Sequence, residues 1–337
     1  MKTAVVVPNW NGEAWLRECL NSLLAQTTPL TLVVVDNGST DSSREILESY
    51  GDKIVSIYRD ANYGFTGGVN PGIEYAIEHD FDAVALFNND AVAEKDWLAE
   101  LQKELTGDTG IVTCLLQTFD HRFIDSTGEH MTVWGLPYPR GRHTPIENAP
   151  TGPEYVFGAT GGATLYSIPM LREIGLFDDD FFAYYEDVDI SYRAQLAGWK
   201  VKLAPASTAY HRINASSDRM PSGFRVYQTF KNMPMVVKKN TPKGLRHIVY
   251  PRFLFAYASF YVSAVLRGQV VPATKGMLKH VALNPKKARE RKDIQSRKVV
   301  SNEYIWSIMT HDLPEDTDLR KLRSIWWKIS GRKHNES

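Results

Sequence analysis

The chain has 337 residues, enough for one full core and an appendage. Its hydrophobic share of 43% and charged share of 23% are globular values, which excludes disordered and collagen-like chains. The net charge of zero is unevenly divided: residues 1–218 hold 15 Lys+Arg against 31 Asp+Glu (−16), and residues 219–337 hold 24 against 8 (+16). We therefore expect an acidic body, 1–218, and a basic C-terminal region, 219–337, with different partners. Two cysteines, Cys19 and Cys114, lack metal-ligand spacing and cannot form a disulfide framework, which suits a reducing compartment. The apolar run Ala4–Val7 is too short for a signal peptide, so a cytosolic chain is expected.

Ala4–Val7 reads as a buried strand ending at Pro8, and Ala14–Leu24 as a helix with Leu16, Leu20, Leu23 and Leu24 on one side. Leu32–Val35 is a second strand leading into Asp36, followed by a helix to about Tyr50 with Ser42 and Glu45 as a capping box. Ile54–Tyr58 is a third strand, Val69–Glu78 a third helix, and Ala83–Phe87 a fourth strand running into Asn88-Asn89-Asp90. This alternation predicts an α/β fold, a mostly parallel sheet covered by helices. Ligands bind beyond the carboxyl ends of such strands, where Asn9, Asp36, Asn62 and Asp90 fall. The Pro/Gly-rich stretch from Gly135 to Pro153 reads as a long loop, Glu186 onward as a helix toward Ala197, and Lys200–Leu203 as a strand.

Four loops converge on that edge: Pro8-Asn9-Trp10-Asn11-Gly12, Val35 to Asp41, Asn62 to Asn70, and Asn88-Asn89-Asp90. Gly158 to Gly162, Phe182 to Asp189, and His211 after Pro205 follow. Together these resemble family 2 glycosyltransferases of the Rossmann-like GT-A fold, in the branch holding rhamnosyl- and galactofuranosyltransferases, over roughly residues 3–215. The resemblance implies an inverting, metal-dependent hexosyltransferase-type enzyme.

Each motif carries chemistry and a plainer alternative. Asp36 can accept the imide N–H of a uracil or thymine ring, or merely start a turn before Gly38. Asn37 stands where many relatives carry a second Asp. With Pro8, Asn9, Asn11, Asn62, Asn88 and Asn89 these make the expected donor site for a UDP- or dTDP-sugar. Gly64, Gly67 and Gly68 would let backbone N–H groups approach that donor, or would form a tight surface loop. Asn88-Asn89-Asp90 occupies the place of the family's Asp-x-Asp motif, so Asp90 supplies an oxygen for Mn²⁺ or Mg²⁺, or else caps a turn. His211 matches a family position that completes the metal site, although a lone histidine is commonly structural. By the same resemblance Asp187 is the general base, with Glu186 in that role if the register shifts by one. Asp189 lies four residues before Arg193, which predicts an ion pair within the helix. Trp134, Tyr138, Tyr155, Phe157, Tyr184 and Tyr185 could stack on acceptor sugars, with Gly161 and Gly162 beside them.

The basic region contains the uncharged stretch Phe253–Leu266, too short to span a bilayer alone, and the positive run from Lys286 to Lys292. Leu319, Leu322, Ile325, Trp326 and Ile329 fall on one helical face, with Arg320, Lys321, Arg323 and Lys328 elsewhere. That pattern predicts a helical extension lying on an anionic membrane surface at the cytoplasmic face, or alternatively a helical dimer or domain-packing surface. The aliphatic run argues against nucleic acid as the partner. A polyprenyl-linked or other glycan acceptor near the membrane follows, with an inactive nucleotide-sugar-binding scaffold as the competing possibility. An enzyme that synthesises sugar nucleotides would need a Gly-rich triphosphate loop and a following cation, which residues 8–12 lack.

Overall fold

A computed structural model describes residues 1–212 and 220–313. The helix read over residues 319–329 lies outside the described residues. The chain opens with β1 (Thr3–Asn9), α1 (Leu16–Leu24), β2 (Thr31–Asp36), α2 (Ser43–Glu48), β3 (Val55–Tyr58), α3 (Gly64–Glu78) and β4 (Ala83–Phe87). There follow β5 (Ala91–Ala93), α4 (Trp97–Glu104), β6 (Thr109–Thr118), and the short strands β7 (Ile124–Ser126), β8 (Glu129–Met131), β9 (Pro137–Pro139) and β10 (Glu154–Val156). Next come β11 (Ala163–Ser167), α5 (Ile168–Ile174), α6 (Glu186–Leu196) and β12 (Lys200–His211). The chain then turns helical, with α7 (Phe224–Asn240), α8 (Arg246–Leu266), α9 (Val270–Ser296) and α10 (Asn302–Ile308).

The main sheet runs β10-β12-β6-β11-β4-β1-β2-β3. Its β4-β1-β2-β3 half is parallel, as the strand–helix alternation requires. The other half is mixed, because β11 enters antiparallel between β4 and β6. Ala4 to Val7 are fully buried, since helices cover both faces; each Val contributes on the order of 1.5–3 kcal/mol. One face packs on α1, α2 and α4, and the other on α3, α5 and α6. A third apolar cluster joins β8 and α6 to α7, α8 and α10, so the C-terminal helices share a core with the sheet-bearing half.

Three local expectations are corrected. Ser42 makes no side-chain cap for α2; its N–H donates to Glu13 Oε2 instead (3.0 Å). The glycines expected to form a loop lie inside α3, which starts at Gly64 rather than Val69. They admit close packing: a Cβ on Gly72 would lie 2.4 Å from Val6 Cγ1, and one on Gly68 3.0 Å from Pro8 Cβ. Packing of α3 on β1 thus overrides the poor helix propensity of glycine. The last strand does not stop before Pro205: β12 continues to His211 through a register shift between Ala204 and Thr208, where a proline is tolerated.

The Gly135–Pro153 segment is ordered in part by β9, which pairs with β8. The uncharged stretch Phe253–Leu266 is the C-terminal part of a longer helix. Lys243–Leu266 contains an 18-residue window of mean hydropathy 1.3 and is by length and composition long and apolar enough to cross a membrane. Only 22% of that window is buried. Val249, Phe253, Ala256 and Ala264 face the protein, while Pro251, Leu254, Phe255, Ala258, Val262, Val265 and Leu266 are exposed.

Candidate active site

A cleft of about 520 Å³ opens at the carboxyl ends of β1, β2 and β4. Sheet register builds its floor. Parallel pairing sets Asn9 beside Asp36, and antiparallel pairing of β5 with β12 sets His211 opposite Ala91, next to Asp90. Pro8, Asn9, Asn37, Asn62, Gly64, Asn88, Asn89, Asp90, Tyr184, Tyr185, Glu186, Asp187 and His211 all line the cleft.

The donor side is an amide network. Asn89 Nδ2 donates to Asn9 Oδ1 (2.7 Å), and Asn9 Nδ2 donates to Asp36 Oδ1 (3.0 Å). Asn37 Nδ2 donates to Gly64 O (2.8 Å) and Asn62 Oδ1 (3.2 Å). Asp36, expected to meet a base directly, is 4% exposed and stands behind the lining, where its carboxylate accepts from Asn9 and Ser39. Asn11 likewise faces away, its Oδ1 accepting from Thr40 N–H (2.7 Å). Gly67 lies within α3 against Tyr63 and does not line the cleft. The polar floor thus presents asparagine amides, and the one carboxylate expected there is consumed in orienting them.

On the other wall His211 Nε2 lies 3.2 Å from Asp90 Oδ1 and 3.4 Å from Asn88 Nδ2. His211 Nδ1 lies 2.7 Å from Asp125 Oδ2, and Arg142 Nη2 donates to Asp125 Oδ1 (2.7 Å). Burial works to lower the imidazole pKa, but the hydrogen bonds and charges of Asp125 and Asp90 raise it to about 10. An imidazole nitrogen and a carboxylate oxygen meeting here fit Mn²⁺ or Mg²⁺, with displacement of the Nε2 proton. Asp178, Asp180 and Glu290 also bring carboxylate oxygens within 4.8 Å of one another. The cation at that place is Lys287: its ammonium lies 2.6 Å from Asp178, 2.7 Å from Asp180 and 2.9 Å from Glu290. That cluster is a set of ion pairs.

Asp187 Oδ2 accepts from Gly161 N–H (3.1 Å) and Oδ1 from Val188 N–H (2.8 Å). Burial raises its pKa, and these amides oppose the rise. Glu186 is pushed well above the usual range by burial and then by Asp187, and its Oε2 has no partner. Of the pair, Asp187 is the carboxylate whose charge amide donors favour. Asp189, turned away, pairs with Arg193 as its spacing predicts (2.9 Å) and also with Lys239 (3.0 Å).

The acceptor expectations divide. Tyr138, Tyr184 and Tyr185 line the cleft, joined by Phe182 and Phe224. Trp134 does not: its ring lies 6.5 Å from Phe255 and under Arg252, against the C-terminal helices. Phe157 is buried against Tyr192, and Tyr155 is 63% exposed elsewhere. Gly161 and Gly162 stand behind the lining, giving an N–H to Asp187 and a carbonyl to Asn88 N–H. Sequence reasoning missed Asp125, Glu129 and Arg142. Glu129 lines the cleft, and its carboxyl is raised well up by burial and by Asp187. These three sit on or beside short hairpin strands, and no spacing in the sequence marks them, because Asp125 meets His211 from 86 positions away.

Residues 4–175, just over half the chain, match the Glycosyl transferase family 2 domain. A low-salt glycan biosynthesis hexosyltransferase of Haloferax volcanii, Agl10, is 24% identical over 275 residues, covering 78% of this chain and 84% of that protein. The structure of Staphylococcus aureus TarS 1–349 in complex with UDP-GlcNAc is similar at a TM-score of 0.55 and 16% identity, covering 93% of this chain and 94% of that one. That of GalNAc-T7 with UDP, GalNAc and Mn²⁺ is similar at 0.58 and 19%, covering 71% of this chain and 48% of that one, so the chain spans about half its length. The fold is that of GT-A proteins, and the chain belongs to glycosyltransferase family 2.

Proposed function

We propose that this glycosyltransferase moves a hexose, with inversion, from a UDP- or dTDP-sugar to a hydroxyl of a lipid-linked glycan at a membrane. The observation that carries it is that Asp187 and the Asp90–His211 pair line one cleft large enough for a nucleotide sugar. Asp187 takes the proton of the acceptor hydroxyl. The freed oxygen attacks the anomeric carbon as the bond to the diphosphate breaks on the opposite side. Asp90 and His211 would hold Mn²⁺ or Mg²⁺, which neutralises charge building on the departing diphosphate. The amides of Asn9, Asn37, Asn62, Asn88 and Asn89 orient the nucleotide, and Tyr184, Tyr185 and Phe224 receive the acceptor. UDP in the solved complexes of similar fold supports the donor class, and rhamnose is our choice of sugar from the motif resemblance. A thermal-shift panel of UDP- and dTDP-hexoses with and without Mn²⁺ selects the donor. Asp187→Asn should then bind nucleotide yet transfer nothing; retained transfer rejects the base assignment. An inactive scaffold would show nucleotide binding with no turnover in the wild type.

The membrane assignment rests on the exposed apolar face of α8 and on charge. Residues 220–289 hold 13 Lys+Arg and no Asp or Glu. Because α8 also has a buried face, we read it as lying in the interface at the cytoplasmic side rather than crossing. Flotation with anionic vesicles at low salt tests this, and protein remaining at the bottom rejects it.

A further inference from the structure

We infer that Asn232, on α7, is a positioning residue for catalysis: it clamps the strained loop that presents Tyr184, Tyr185 and Asp187 to the cleft. The inference rests on Asp187 as the base. The loop holds three aromatic residues with positive φ, namely Phe182 (φ 63°), Tyr184 (69°) and Tyr185 (72°). Side chains of this bulk avoid that region because Cβ meets the backbone carbonyl. Phe182, with ψ −61°, centres a three-residue turn closed by Ala183 N–H donating to Phe181 O (2.7 Å). Such turns persist only where surroundings over-determine them, and they cluster at functional sites.

The surroundings here come largely from α7. Asn232 is fully buried, and its Nδ2 lies 3.0 Å from Phe181 O, 2.8 Å from Ala183 O and 2.8 Å from Tyr184 O. One amide thus gathers three carbonyls of one turn, sharing two hydrogens among them. Lys231 Nζ adds a bond to Phe181 O (3.1 Å), and the Phe224 ring packs against Phe182 and Tyr184 at 5.9 and 6.2 Å. From the opposite side, α3 abuts the loop so closely that a Cβ on Gly64 would fall 2.2 Å from Phe182 O. Tyr185 is the N-cap of α6, so the turn fixes where that helix starts and where Asp187 points. Residues that charge balance assigns to a separate basic region therefore set the geometry of the base.

The test compares Asn232→Ala with Val236→Ala, a fully buried position one turn further along α7. Turnover is read as nucleotide release from the donor that the panel selects, per site binding the matching nucleoside diphosphate. Hydrogen exchange is read across residues 181–188. Asn232→Ala should lower turnover per site about 100-fold, as an ångström-scale misplacement does. It should speed exchange in that loop and leave nucleotide affinity unchanged. Val236→Ala should lower the melting temperature without altering turnover per site. Should Asn232→Ala fail to fold, Asn232→Ser, which cannot span the three carbonyls, should show the same pattern in milder form. Wild-type turnover per site in the Asn232 variant, or an equal loss in Val236→Ala, overturns the clamp. Asp187→Asn assayed in parallel separates the two ideas: an active Asp187→Asn rejects the base, while an inactive one with an active Asn232→Ala rejects the clamp alone.

Discussion

Asp125 Oδ2 accepts a hydrogen bond from His211 Nδ1 at 2.7 Å, and this bond decides that Nε2 is the nitrogen facing Asp90. Arg142 in turn holds Asp125, whose carboxyl stays below the usual range; burial raises it, but His211 and then Arg142 outweigh burial. A ligand histidine oriented through its second nitrogen is a common feature of metal sites. Asp125→Ala should therefore weaken Mn²⁺ binding about 10–100-fold, read by electron paramagnetic resonance of free Mn²⁺. Unchanged Mn²⁺ affinity would show that His211 needs no such support.

The two neighbouring carboxyls of α6 differ in what a neutral isostere does. Asp187→Asn should cost about 10²–10⁴-fold in turnover, the usual range for one general base. Glu186→Gln should cost little, because burial and Asp187 push the Glu186 carboxyl well above its usual range. The wild-type rate should rise with pH through a pKa above the ordinary aspartate range, since burial raises Asp187. The pH–rate profile and both variants check this, and the reverse order of losses would move the base to residue 186.

Gly72→Ala should destabilise the protein by about 1–3 kcal/mol, because the new methyl group has no space beside Val6. Urea unfolding measures it. Gly152→Ala, where a Cβ meets nothing within 4 Å, is the matched control and should be close to neutral.

Acid should loosen the contact between α9 and the catalytic half. Burial raises the Asp178 carboxyl, but Lys239 and Lys287 outweigh it and hold the group well below the usual range. The folded protein thus keeps Asp178 ionised further into acid than the unfolded chain does. The stability so gained is complete above about pH 4–5 and is lost as pH falls through lower values. Lys287→Met should make the fall between about pH 5 and pH 2 shallower, because Asp178 then loses one of its two cations. Denaturant midpoints across that range decide the point.

How much was legible in the sequence depended on how local the cause was. Ala4–Val7 and Ala83–Phe87 announce themselves as strands by apolar runs, and Asp189 with Arg193 by helical spacing. Asp90, Asp187 and His211 could be singled out because their motifs resemble those of family 2 glycosyltransferases. Gly64 to Gly68 misled, because glycine's low helix propensity is a local fact and its fit against Pro8 and Val6 is not.

The order of apolar runs along the chain determined by itself that a sheet would form and which strand ends would carry polar loops, and the run of charges determined that positive charge would gather toward the C-terminus. Periodicity and charge are properties of neighbours in sequence. Only the tertiary structure decided that Asp125 supports His211, that Asp36 orients Asn9 behind the lining, that Trp134 belongs to the C-terminal helices, and that Asn232 reaches the loop before α6. Each of those contacts joins residues 27 to 121 positions apart, and only strand register and helix packing bring them within hydrogen-bonding or ring-contact distance.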